Sequence, residues 1–155
     1  MHIHRYERWW MLFGLAMLVI FATTIFIAAL ADNINPPSGS QTIDPTKVSS
    51  TPPFDHPGLH RNPDGSYDAY YVAAVFQFSP ATLDVPLGSK VTFYVTSSDV
   101  VHGFEIAQTD VNMMAIPGWV NNASHTFTHP GTYLLVCNEY CGIGHQNMYG
   151  TIEVR

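Results

Sequence analysis

Residues 90–96 read KVTFYVT, with Val91, Phe93 and Val95 in one register and Thr92, Tyr94 and Thr96 in the other. A period of two sends the apolar set to one face and the hydroxyl-bearing set to the other, which is the pattern of a half-buried β-strand. Segments of similar character lie on both sides: YDAYYVAAVFQF at 67–78, TLDVPLG at 82–88, SHTFTHPGTYLLVC at 124–137 and NMYGTIEVR at 147–155. Pro and Gly punctuate them as turns. Short strands at regular spacing, with no helical run between them, predict a mainly β domain, an antiparallel sandwich or Greek-key barrel. The 155 residues suffice for one such domain plus an appendage.

Upstream the composition changes. Residues 32–66, DNINPPSGSQTIDPTKVSSTPPFDHPGLHRNPDGS, are rich in Pro, Ser, Asn, Asp and Gly and predict an extended linker. His56 and His60 in this stretch are spaced i, i+4, but Pro57 between them argues against the helix that would make the spacing a metal site.

Further upstream, WWMLFGLAMLVIFATTIFIAALA at 9–31 carries no charge. As a helix it spans roughly 34 Å, enough for a hydrocarbon core of about 30 Å. The run is too long for a signal-peptide core, although ALA at 29–31 resembles a cleavage site. Arg5 and Arg8 before it and Asp32 after it place the N-terminus in the cytoplasm and residues 32–155 outside. The expected organisation is therefore a membrane anchor at 1–31, a linker at 32–66 and a β domain at 67–155.

Four basic and eleven acidic side chains fall in residues 32–155, a net of −7 there within a chain of −6. An acidic exterior domain suits a basic protein partner and argues against nucleic acid.

The only two cysteines lie in VCNEYCGIGHQNMYG at 136–150, with His145 and Met148 just after them. A pair of cysteines outside the cell is by default a disulfide. Thiolate, imidazole and thioether together are instead a soft ligand set that suits copper. One copper needs one cysteine, two histidines and an axial Met, which leaves a cysteine over. Two copper ions bridged by both thiolates use Cys137 and Cys141 together. The second imidazole must then come from elsewhere. His102 in SSDVVHGFEI is the best candidate, whereas His125 and His129 in NNASHTFTHPG fit an exposed strand and turn.

The cysteine loop, with SSDVVHGF upstream of it, resembles the binuclear copper A site of cytochrome c oxidase subunit II. The likeness covers nearly the whole chain, and the single helix resembles the B-type haem-copper oxidases. It implies a cupredoxin-like Greek-key β-sandwich or barrel anchored by one N-terminal transmembrane α-helix. The implied ligands of two copper ions are His102, Cys137, Cys141, His145, Met148 and the backbone oxygen of Glu139. Asp99 would orient the His102 strand, Phe76 or Phe78 would be the electron-entry aromatic, and Glu7 would stand by a proton channel of the partner. The implied partners are membrane lipid, oxidase subunit I with its haem and copper B, and a donor that is cytochrome c or a small copper protein. The implied function is electron entry for reduction of oxygen to water coupled to proton translocation. The alternatives are a copper A subunit of a membrane nitric oxide reductase and a tethered mononuclear cupredoxin carrier or copper chaperone.

Overall fold

A computed structural model describes residues 4–31 and 37–155. The chain divides into two compact units.

The first unit is α1 (Arg5–Ala31), one helix long and apolar enough to cross a membrane. Its threonine hydroxyls are satisfied within the helix: Thr23 donates to the Val19 carbonyl at 2.7 Å and Thr24 to that of Ile20 at 2.9 Å. A bilayer offers no water for such groups, so this internal pairing is what a spanning helix requires.

The second unit is built of two sheets. The strands are β1 (Ser38–Thr42), β2 (Gly58–Arg61), β3 (Tyr67–Ala74), β4 (Gln77–Ser79), β5 (Thr82–Val85), β6 (Lys90–Ser97), β7 (His102–Ile106), β8 (Asn112–Ala115), β9 (Trp119–Thr126), β10 (Gly131–Val136) and β11 (Tyr149–Val154). One sheet runs β1-β9-β6-β3-β2 with β4 also on β3, and the other runs β5-β11-β10-β7-β8. The alternation read at 90–96 holds as far as Val95: Val91, Phe93 and Val95 are fully buried and meet Tyr71, Phe104, Phe127, Leu135 and Ile152 in the main core, but Thr96, expected on the other face, is fully buried as well.

Four expectations need correction. The sandwich is not purely antiparallel, since β3 pairs β6 and β11 pairs β5 in parallel. The run 67–78 is a hairpin rather than one strand, with Val75 and Phe76 at the turn between β3 and β4. Short 3₁₀ turns occur at Pro45–Ser50 and His145–Asn147, so the domain is not free of helical turns.

The fourth correction concerns the predicted linker, of which residues 32–36 lie outside the described residues. From Ser38 onward the segment is part of the domain: β1 pairs β9 and β2 pairs β3. Between those strands Val48 and Phe54 are buried with Val120 in a second small core, against Tyr70, Val72 and Tyr94. Two well-placed apolar side chains and backbone pairing suffice to fix a segment whose composition is otherwise that of a linker.

Candidate metal centre

The second sheet brings the chemistry to one end of the sandwich. β7 begins at His102, and β10 ends at Val136, just before Cys137. Backbone pairing of Val136 with Glu105 and Leu135 with Ile106 aligns these strands side by side. His102, Cys137 and Cys141 are buried there with potential ligand atoms within 4.8 Å of one another. Potential ligands from segments far apart in sequence thus converge because the sheet fixes the strand ends.

The loop from Cys137 to Met148 braces itself. The Cys137 amide donates to the Met148 carbonyl at 3.2 Å, closing the loop at its base. Within it, His145–Asn147 forms a 3₁₀ turn, and a period of three places residues i and i+3 on the same side. That explains the spacing of His145 and Met148: His145 Nδ1 lies 3.7 Å and Met148 Sδ 3.8 Å from Cys141 Sγ. The two cysteine sulfurs are 3.7 Å apart, far beyond the roughly 2.05 Å of a disulfide, so both are free thiols. The carbonyl oxygen of Glu139 is 3.2 Å from Cys137 Sγ.

His102 is fully buried and held by Asp99, whose Oδ1 is 2.8 Å from Nε2. A carboxylate only accepts, so Nε2 carries the proton and Nδ1 presents a lone pair. His102 Nδ1 is buried with no hydrogen-bond partner among the described residues. An unpaired buried acceptor is costly, and a metal ion is the partner that its position beside two thiols suits. Asp99 itself is held below the usual carboxylate range. Burial opposes its ionisation, but hydrogen bonds from His102, the Val75 and Val100 amides and the Ser97 hydroxyl outweigh it. Burial, together with the neighbouring Cys137 thiol, pushes the Cys141 thiol up to about 11.

The donor set fits copper. Two thiols, two imidazoles, a thioether and a backbone carbonyl exceed the four ligands of a closed zinc site, and sulfur donors suit copper.

The remaining predicted residues separate. Phe76 is 38% exposed, and its ring packs on the loop. A Cβ at Gly142, whose φ is +133°, would stand 3.0 Å from that ring, and one at Gly144 would overlap it. Phe78 is in the core, edge-on to Phe104 at 5.6 Å, so it presents no face to an incoming protein. Glu7 lies in the first turn of α1. His125 is occupied by Asp110 at 2.6 Å, and His60 Nε2 is 3.0 Å from the His56 carbonyl.

One participant went unread in the sequence. The Val75 amide donates to Asp99 Oδ2 at 2.7 Å, which ties the Phe76 turn to the carboxylate that orients His102. A backbone donor leaves no residue-type signal.

The family model of the cytochrome c oxidase subunit II periplasmic domain matches residues 77–154. A cytochrome c oxidase subunit 2 of Thermus thermophilus is 38% identical over 154 residues, covering 97% of this chain and 92% of the relative. The Saccharomyces cerevisiae subunit 2 is 38% identical over 69 residues, 44% of this chain and 28% of that one. Among solved structures, a chain of a haem-copper terminal oxidase dimer superposes with TM-score 0.77 at 32% identity, covering 97% of this chain and all of that one. The periplasmic domain of subunit II from Bradyrhizobium japonicum shares the fold, with TM-score 0.53 at 20% identity over 57% of this chain and 83% of that one. With a mainly β sandwich, an N-terminal apolar helix and a copper-suited cluster in place, this chain belongs to the cytochrome c oxidase subunit II family.

Proposed function

We propose that this chain is the electron-entry subunit of a haem-copper terminal oxidase. It takes electrons singly from a reduced cytochrome c or small copper protein and hands them to haem in a membrane-embedded subunit I. There oxygen is reduced to water with proton translocation. The observation that carries this is the convergence of both buried thiols with His102, whose Nδ1 is left without a partner among the described residues.

Two copper ions would be held by the Cys137 and Cys141 thiolates, the His102 and His145 imidazoles, the Met148 thioether and the backbone oxygen of Glu139. Copper bound there supplies a one-electron redox couple. The protein's part is to hold the ligands and keep water away. Asp99 fixes the His102 ring by its 2.8 Å hydrogen bond, which is how an outer carboxylate orients a ligand. Val136, Leu135 and the core beneath them fix where the loop begins. With the donors already provided by protein, no open position is offered to a substrate, so bond chemistry belongs to the partner.

Phe76 is the electron-entry aromatic on this reading, since it combines exposure with contact to the loop. Tyr140 and Ile143, 74% and 90% exposed, lie in the same loop and offer an apolar rim within an acidic domain. Such a surface suits a donor that is basic around an apolar contact. α1 anchors the chain with its N-terminus in the cytoplasm and the copper domain outside. Glu7 is assigned to the proton-uptake side of the partner; a Glu7→Gln change that left proton uptake intact would remove that role.

Copper loading of the full chain in detergent tests the assignment. Electron paramagnetic resonance should give the multiline hyperfine pattern of an electron shared by two coppers, with a purple colour. Cys141→Ser should abolish it and His125→Ala should leave it. A four-line pattern with one copper per chain would overturn the binuclear centre.

A further inference from the structure

Backbone pairing between β10 and β7 ends at Val136 and Glu105, yet the copper loop stays pressed against β7 for two more residues. Gly103 shows how closely. A Cβ there would come within 2.6 Å of the Asn138 amide nitrogen and 2.7 Å of the Glu139 amide nitrogen, and would overlap the Asn138 side-chain oxygen. Only a glycine leaves room for that approach.

Above it, Asn138 Nδ2 donates to Glu105 Oε2 at 2.8 Å and to Asn112 Oδ1 at 3.1 Å. The Glu105 carboxylate only accepts, which fixes the amide orientation. Glu105 and Asn112 are themselves paired across β7 and β8, so they form a two-point socket on adjacent strands.

We infer that Asn138 is a positioning residue for the metal centre: it latches the Cys137–Glu139 segment, through Glu105 and Asn112, onto the strand that carries His102. The inference rests on the copper assignment above. Its physical basis is that two ligand groups arrive from different parts of the chain, Cys137 and the Glu139 carbonyl from the loop and His102 from β7. Past Val136 no strand ladder sets their separation. The Asn138 amide spends both of its hydrogens on doing so, one of them in a charge-assisted bond. Asn138 sits between a thiolate and the carbonyl-bearing residue, so a shift of its side chain moves both.

The test exchanges donor and acceptor. Asn138→Asp places a carboxylate against the Glu105 carboxylate and removes the donor. The double variant Glu105→Gln/Asn138→Asp restores a donor–acceptor pair without changing the total charge of the pair relative to wild type. In the full chain, N138D should bind copper about tenfold more weakly against a competing chelator, as loss of an outer-shell partner does. Its hyperfine pattern should change, and both properties should return in the double variant. A merely structural contact would not move the hyperfine pattern and recover it on exchange. In the metal-free chain, N138D should also speed alkylation of Cys137 and Cys141 severalfold. Should N138D fail to fold by circular dichroism, Asn138→Ala, which adds no charge, carries the same comparison. Wild-type spectra, copper retention and alkylation in both single variants would overturn the inference, as would a folded double variant as impaired as N138D. Absence of copper from the wild-type chain would instead overturn the proposed function, and alkylation rates would then decide the latch alone.

Discussion

Asp99 shows how much one side chain carries at this site. One carboxylate oxygen accepts from His102 and the other from the Val75 amide. The first bond sets the tautomer of the buried imidazole, and the second holds the turn on which Phe76 stands. Asp99→Ala should weaken copper binding by about 10–100-fold, the usual cost of losing an outer-shell partner. Chelator competition measures this, and an unchanged affinity would show that burial alone orients His102. The clustering of His102, Cys137 and Cys141 was legible in the sequence because thiol and imidazole declare their chemistry wherever they fold. Phe76 and Phe78 were not separable in advance. A strand running unbroken through 67–78 puts both on one face, whereas the hairpin turn at Val75–Phe76 sends Phe78 inward and leaves Phe76 out.

At the scale of elements, the segment between β1 and β2 was the least legible. SGSQT at 38–42 has no apolar alternation, and its pairing with β9 is made by backbone groups that any residue provides. Composition reports what could pack in bulk and misses two side chains with a prepared seat. Val48 and Phe54 find theirs on the outer face of the first sheet, beside Val120, with the Phe54 ring edge-on to Tyr70 at 5.4 Å. β6, by contrast, was plain because from Val91 to Val95 its own alternation matches the two environments that it separates. Phe54→Ala removes a ring that is only 4% exposed and should cost about 3 kcal/mol of stability, the lower end for such truncations in a core. Denaturant unfolding measures the loss. The copper spectrum should stay unchanged, because this small core lies apart from the main one that underlies the metal ligands. A loss below about 0.5 kcal/mol, the level of a surface change, would mean that the segment behaves as the linker its composition suggested.

For the molecule as a whole, a preformed site has a consequence for the metal-free state. Cys141 is seated where burial and a second thiol disfavour its thiolate, so its pKa rises from the ordinary 9.0 to about 11. The folded chain therefore keeps a proton that the unfolded chain releases in this interval. Stability falls wherever the native state binds more protons as pH rises. The contribution of Cys141 is thus intact below pH 9 and lost as pH climbs towards about 11. Tyr70, Tyr71 and Tyr94 are raised as well, chiefly by burial, and push stability the same way at high pH. Comparison with Cys141→Ser isolates the thiol, since serine does not titrate there. Thermal unfolding of the metal-free chain between pH 8 and pH 11 should show a steeper decline for wild type than for Cys141→Ser. Copper reverses the dependence. A bound thiolate has already lost its proton, so loading releases protons and becomes more favourable with rising pH until the thiols are ionised. The loaded chain should lose the extra decline and unfold at a higher temperature throughout, because the metal binds the native site more tightly than the unfolded chain. Parallel pH profiles for wild type and Cys141→Ser in the metal-free state would show that Cys141 titrates as an ordinary thiol, leaving no burial cost for the metal to relieve.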